Sequence, residues 1–254
     1  MCLIAIAWQA HPRYDLIVAA NRDEFYDRPT QVAHWWPDAP HVYGGRDQRA
    51  GGAWCGADTA GRWAAVTNVR ERGAGKEYRS RGDLVREALA QTATLTGYAN
   101  DVAAARYTYR PFNLLLADQN RLHFLSNRGT CQDVLMAPGV HAISNGHWGE
   151  HWPKTERAQL ELQALVARRE VSAPALFALL AASDTAATPS LPATGVGPET
   201  EQLLSALFVH GRAYGTRAST LLLRDRSGRV DFYERGFDRN ARVTHDQHEC
   251  WSYT

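Results

Sequence analysis

Apolar and polar positions alternate between short continuous blocks and helical spacings, and the blocks at the two ends of the chain have strand character. Residues 2 to 8 (Cys2-Leu3-Ile4-Ala5-Ile6-Ala7-Trp8) and 16 to 20 are apolar runs split by Gln9-Ala10-His11-Pro12-Arg13. That pattern predicts two strands, buried on both faces and joined by a turn. The second run ends in a dense polar cluster, Asn21 to Pro29, hard against a buried strand. Charges placed there must pair, face a cleft, or lie in a solvated turn. Residues 30 to 50, rich in Pro, Trp and His, read as a long loop, and residues 51 to 56 and 62 to 68 as a hairpin turning at Asp58-Thr59-Ala60-Gly61.

Helical spacing takes over at residues 83 to 90, with a shorter helix around 99 to 106. Strands are expected again at 112 to 117, 122 to 126 and 139 to 146. Two Ala- and Leu-rich helices follow at 154 to 169 and 173 to 182, the second with Ser172 as N-cap and Pro174 in its first turn. Residues 183 to 198 read as a loop, and residues 208 to 210, 219 to 224 and 230 to 234 as strands, the last two joined at a Gly228 turn. Strands at both ends and helices in two internal blocks predict an α/β (α+β) fold. The expected architecture is a four-layer αββα sandwich of two mainly antiparallel sheets, forming one domain over residues 1–254.

Composition narrows the partners. With 28 Lys and Arg against 27 Asp and Glu, the formal net charge is +1, so bulk electrostatics does not favour nucleic acid or an anionic membrane surface. No apolar run has the length of a membrane-spanning helix, and no basic region precedes the apolar start, so stable membrane insertion is not expected and a cytoplasmic location is. Cys2, Cys55, Cys131 and Cys250 lie far apart without a CxxC pair and are read as reduced thiols. His147-Trp148-Gly149-Glu150-His151 has the spacing of a zinc-binding helix, but Gly149 within it and Pro153 after it make that helix poor. His245, His248 and Cys250 are assigned to a mobile tail. No metal is expected.

Candidate chemistry centres on Cys2. Removal of Met1 would give one residue a thiol and a free α-amine, whose ionisation near neutral pH lets it act as the base for its own side chain. The competing reading is a small buried hydrophobe in an apolar strand.

An ordered set of blocks then carries a resemblance: Met1-Cys2, Ala19 to Tyr26 with Arg28-Pro29, Gly51-Gly52 with Trp54, Thr67-Asn68, Ser80-Arg81-Gly82, Ser144-Asn145 and Tyr214-Gly215-Thr216-Arg217. Together they resemble the NRDE family, also called the Transport and Golgi organization 2 family. The resemblance implies kinship with N-terminal nucleophile hydrolases, in particular the branch that cleaves linear amides such as bile-salt conjugates and penicillins. It implies a catalytic set of Cys2, Arg22, Asp23, Asn68, Asn145 and Arg217, with Asn21, Glu24 and Trp54 contacting ligand. The hydrolase branch separates its Arg and Asp by two residues. Here Arg22 and Asp23 are adjacent and point to opposite faces if the strand continues, so Asn21, Asp23 and Glu24 remain alternatives for the residue that supports Cys2. The same resemblance implies binding and trafficking of a hydrophobic metabolite, with haem the leading candidate as a transported ligand and no cofactor required. The alternative is an amidohydrolase with an N-terminal Cys nucleophile acting on a small amide.

Overall fold

The computed structural model describes residues 2–70, 78–91, 93–130 and 132–253. The chain runs β1 (Cys2–Trp8), β2 (Tyr14–Phe25), β3 (Thr30–Trp36), β4 (Ala39–Asp47), β5 (Cys55–Asp58), β6 (Trp63–Asn68), α1 (Arg81–Ala90) and α2 (Leu95–Ala105). It continues with β7 (Phe112–Ala117), β8 (Leu122–Ser126), β9 (Asp133–Leu135), β10 (Gly139–Ile143), α3 (Pro153–Arg168) and α4 (Ala173–Leu180). Last come α5 (Pro198–Leu203), β11 (Tyr214–Asp225), β12 (Arg229–Phe237) and β13 (Val243–Ser252).

Contacts group these elements into two compact units, Met1–Asp27 with Pro138–Trp251, and Arg28–Ala137 with Ser252–Thr254. The first is built on a six-stranded sheet of order β10-β1-β2-β11-β12-β13. Leu3, Ala5 and Ala7 of β1 and Ile17 and Ala19 of β2 pack with Ala158 and Leu162 of α3 and Leu176 and Leu180 of α4. The alternate residues Ile4, Ile6 and Trp8 are also buried, which accounts for the unbroken apolar run. The second unit is a seven-stranded sheet of order β3-β4-β5-β6-β7-β8-β9. Its own core joins Ala64, Val66, Leu114 and Leu116 to Leu84, Val85 and Leu89 of α1 and Val102 of α2.

Four expectations need correction. Strand β2 does not stop at Ala20 but runs on to Phe25, because Asn21, Arg22 and Asp23 are buried and held by β11 on one side and β1 on the other. The expected loop at 30 to 50 is instead the β3–β4 hairpin, whose strand Trp and Val residues outweigh its prolines. Phe208 to His210 form no strand and are held by an isolated bridge, His210 to Gly215, by Phe208 N–H on Ala182 O, and by Val209 N–H on Thr216 Oγ1. The expected mobile tail is β13, the edge strand of the first sheet, pinned by His248 Nε2 on Asp231 Oδ1 (2.9 Å) and by stacking of His248 on Tyr233. The His147 to His151 segment is a loop, as its glycine and proline predict. Cys131 lies outside the described residues. Among those described, no helix is long and apolar enough to cross a membrane, and no His, Cys, Asp and Glu cluster is arranged to hold a metal.

Candidate active site

Register assembles the site. Antiparallel pairing sets Cys2 opposite Arg22 and Leu3 opposite Asn21, while β11 sets Thr216 opposite Asp23 and Ser219 opposite Asn21. Directly opposed residues share a face, so Cys2 and Arg22 project from one side of the sheet. Asn21 and Asp23 project from the other, the side covered by α3 and α4. The adjacent Arg22 and Asp23 therefore do point apart, and they divide their tasks. Because β1 and β2 are antiparallel, the residue one step beyond Arg22 lies past the Cys2–Arg22 pair, at the start of β1. That residue is Asp23.

Asp23 is 1% exposed and densely held. Thr216 Oγ1 donates to its Oδ1 at 2.8 Å, Lys154 Nζ stands 3.8 Å from its Oδ2, and the Tyr214 hydroxyl donates to its backbone oxygen at 2.7 Å. Thr216 Oγ1 in turn accepts from the Val209 N–H at 2.9 Å. Burial pushes the Asp23 carboxyl above the ordinary carboxylate range, opposed by the Lys154 charge, the Thr216 hydrogen bond and Arg22. The Cys2 thiol is also pushed up by burial and by the charge of Asp23, against Arg22 and a hydrogen bond from the Asp23 N–H. A thiol so placed is protonated at neutral pH and needs an adjacent base to react.

The three alternatives for the supporting residue now separate. Asn21, wholly buried, donates from Nδ2 to Leu180 O (2.9 Å) and Leu207 O (2.8 Å) and accepts from Ser219 Oγ (2.6 Å), so its polar atoms are committed to the fold. Glu24 Oε1 accepts from the N–H of Phe25 at 2.9 Å. Asp23 is buried, and its backbone N–H donates to the Cys2 thiol.

Two further candidates lie just after β10 and on β11. Ser144 Oγ donates to Cys2 O at 2.9 Å, which anchors the residue after β10 against the start of β1 and sets the buried Asn145 beside it. Arg217 sits at a register shift in the β2–β11 pairing, where its Nη1 donates to Phe25 O and Tyr26 O, both at 3.0 Å. Burial, then the like charge of Arg22, lowers its ionisation from the ordinary value. The first unit thus gathers Cys2, Arg22, Asp23, Asn145 and Arg217. Asn68, opposite Phe112 at the end of β6, and Trp54, whose carbonyl accepts from the Val66 N–H, belong to the second unit.

A family model described as Transport and Golgi organisation 2 matches residues 1–239. The chain belongs to that family. A Transport and Golgi organization protein 2 homolog from Bos taurus is 36% identical over 255 residues, covering 92% of each chain. The Homo sapiens homolog is 31% identical over the same span, with the same coverage. Among solved structures, a Caenorhabditis elegans ortholog of N-acylethanolamine-hydrolyzing acid amidase aligns with TM-score 0.52 at 15% identity, covering 87% of this chain and 92% of that one. A mutant C2A conjugated bile acid hydrolase from Clostridium perfringens aligns with TM-score 0.51 at 8% identity, covering 100% of this chain and 97% of that one. At these identities the likeness shows the fold, and the chain has the mixed α/β architecture with two antiparallel sheets that the order of its elements predicts.

The family blocks now have physical explanations. Gly52 and Gly82 approach so closely that a Cβ on Gly52 would lie 2.5 Å from the Gly82 carbonyl carbon, while Arg28 forms a bidentate pair with Asp47. Of the Tyr214 to Arg217 block, Tyr214 and Thr216 hold Asp23, and Gly215 leaves room for Val209 O, 2.6 Å from a notional Cβ. The sequence reading missed Lys154 altogether. Its one signal was an ammonium in the first turn of a helix, the end where the dipole disfavours a cation.

Proposed function

We propose that the Transport and Golgi organisation 2 chain is an amidohydrolase whose nucleophile is Cys2, exposed as the N-terminal residue by loss of Met1. The observation that supports this reading is the register of β1 and β2, which pairs Cys2 with Arg22 and so brings Asp23, a buried residue whose carboxylate accepts from Thr216, to the strand position next to that pair. The amine takes the thiol proton as sulfur attacks the amide carbonyl, and Asp23 receives the resulting ammonium. Asn145 donates a hydrogen bond to the oxyanion, and the ammonium returns the proton to the departing amine. Water then cleaves the thioester. Arg22 shares the Cys2 face, and with Arg217 it suits a substrate carrying a carboxylate. The two solved structures similar in fold are an amidase and a bile acid hydrolase, which agrees with a linear amide as substrate.

The test is a panel of N-acyl amino acids and N-acyl ethanolamines assayed with the parent and with Cys2→Ala, alongside intact mass to establish whether Met1 is removed. Turnover confined to the parent, in protein lacking Met1, supports the proposal. Equal rates in parent and variant, or undiminished turnover by protein that retains Met1, sinks it.

A second reading, carriage of a hydrophobic ligand such as haem, draws support from a different feature of the first unit. A cavity of about 350 Å³ is edged by Phe177, Phe208, Phe237 and Val243, with His210 and Arg235 among its polar groups. Haem titration that gives no saturable shift of the absorption band removes this reading.

A further inference from the structure

Lys154 is the basic residue that the mechanism above leaves without a task. Its side chain is 2% exposed, that of Asp23 is fully buried, and the ammonium lies 3.8 Å from Asp23 Oδ2 while donating to Leu204 O at 3.1 Å. Only two of the 28 basic residues are lysines, Lys76 and Lys154, so a chain that otherwise uses arginine places a compact ammonium here. A buried cation near a helix N-terminus bears both the desolvation cost and an unfavourable dipole. The fixed Asp23 carboxylate and the Leu204 carbonyl offset both.

We propose that Lys154 is a positioning residue for the Cys2 site, holding the Asp23 carboxylate ionised and aimed at the Cys2 nitrogen, and so setting the lower pH limit of Cys2 reactivity. This rests on Cys2 being the nucleophile. Lys154 from α3 faces the Asp23 carboxylate, and the Tyr214 hydroxyl from β11 meets its backbone oxygen; the other charged and titratable groups that act on it are the N-terminal ammonium, Arg22 and Cys2 across the sheet, and Tyr26 beyond β2. Burial drives the carboxyl towards its neutral form, and Lys154 is the foremost protein side chain opposing that drive. Without the ammonium, Asp23 takes up a proton at higher pH, cannot receive the ammonium of Cys2, and leaves the thiol unactivated.

The experiment measures Cys2 alkylation by iodoacetamide across pH, read by peptide mass on protein lacking Met1, together with amide turnover on the same samples. Lys154→Met should move the acidic limb of alkylation upward by about one pH unit or more, a loss of about tenfold at pH values below the limb. A buried charge left unpaired can unfold the single variant. The paired variant Asp23→Asn with Lys154→Met removes both charges together, and its Cys2 alkylation should lose the limb set by Asp23 and follow the titration of the thiol and amine alone. A folded Lys154→Met protein with the parent's limb overturns the proposal. So does a paired variant that keeps the parent's profile. If the limb moves as expected while no amide is turned over by the parent, the positioning role stands and the amidohydrolase reading falls.

Discussion

Replacing Asn21 with Ala separates a residue that holds the fold from one that contacts ligand. The side chain is wholly buried and joins three separate segments to β2: the last residue of α4 through Leu180 O, the stretch after α5 through Leu207 O, and β11 through Ser219 Oγ. Truncation leaves two carbonyls and a hydroxyl without their donor or acceptor in a dry interior. Each such loss costs about 1–3 kcal/mol. The hydroxyl can turn to another acceptor and the neighbours can relax, so the sum is about 3–6 kcal/mol, a large part of the roughly 5–15 kcal/mol by which a protein is stable. Urea unfolding followed by far-UV circular dichroism should show a midpoint lower by about 1–2 M at an unchanged slope of roughly 3 kcal/mol per M. Ser219→Ala removes one of the three bonds and should cost only about 1 kcal/mol. If Asn21→Ala unfolds within about 1 kcal/mol of the parent yet loses ligand binding or turnover, the strut is refuted and Asn21 returns to the ligand.

Gly52→Ala should destabilise the second unit by about 1–3 kcal/mol, because the new methyl group meets the Gly82 backbone, which cannot swing aside as a flexible side chain would. Thermal unfolding unchanged by this substitution would remove close approach as the reason for the paired glycines. His11 gives a pH prediction. Its Nδ1 accepts from the N–H groups of Arg13 and Tyr14, both at 3.2 Å, and burial followed by the charges of Arg169, Arg13 and Arg226 holds its pKa below 6.5. The unfolded chain therefore binds this proton more readily. The stability His11 contributes is present above about pH 6.5 and is lost as pH falls through the lower folded value. His11→Asn keeps an acceptor and removes the titration, so its unfolding midpoint should fall less than the parent's between about pH 7.5 and about pH 5. Equal falls would exclude His11 as a source of acid sensitivity.

What the sequence discloses depends on whether a residue's partner is near in the chain. Apolar runs and helical spacing depend on local sequence, so β1, β7, β8, α1, α3 and α4 were legible with small errors at their ends. Strand β13 was not, because Val243 to Ser252 alternates polar and half-buried positions, as an edge strand does, and its pairing with β12 depends on Asp231 and Tyr233. The same limit applies at the site. Asn21, Arg22 and Asp23 were visible as a costly polar run against a buried strand, but their division of labour depends on residues roughly 130 to 200 positions away. Alternation along β2 sends Arg22 to the face of Cys2 and Asp23 to the helices. The arrival of Thr216 from β11 and Lys154 from α3 helps to make the buried carboxylate tenable. An adjacent Arg and Asp, which looked like a departure from the spacing of the hydrolase branch, thus serves two faces of one strand: a cation on the face of Cys2 and a buried carboxylate on the face of α3. Nothing in the spacing of residues 21 to 24 could assign those faces until the strand was known to continue through them.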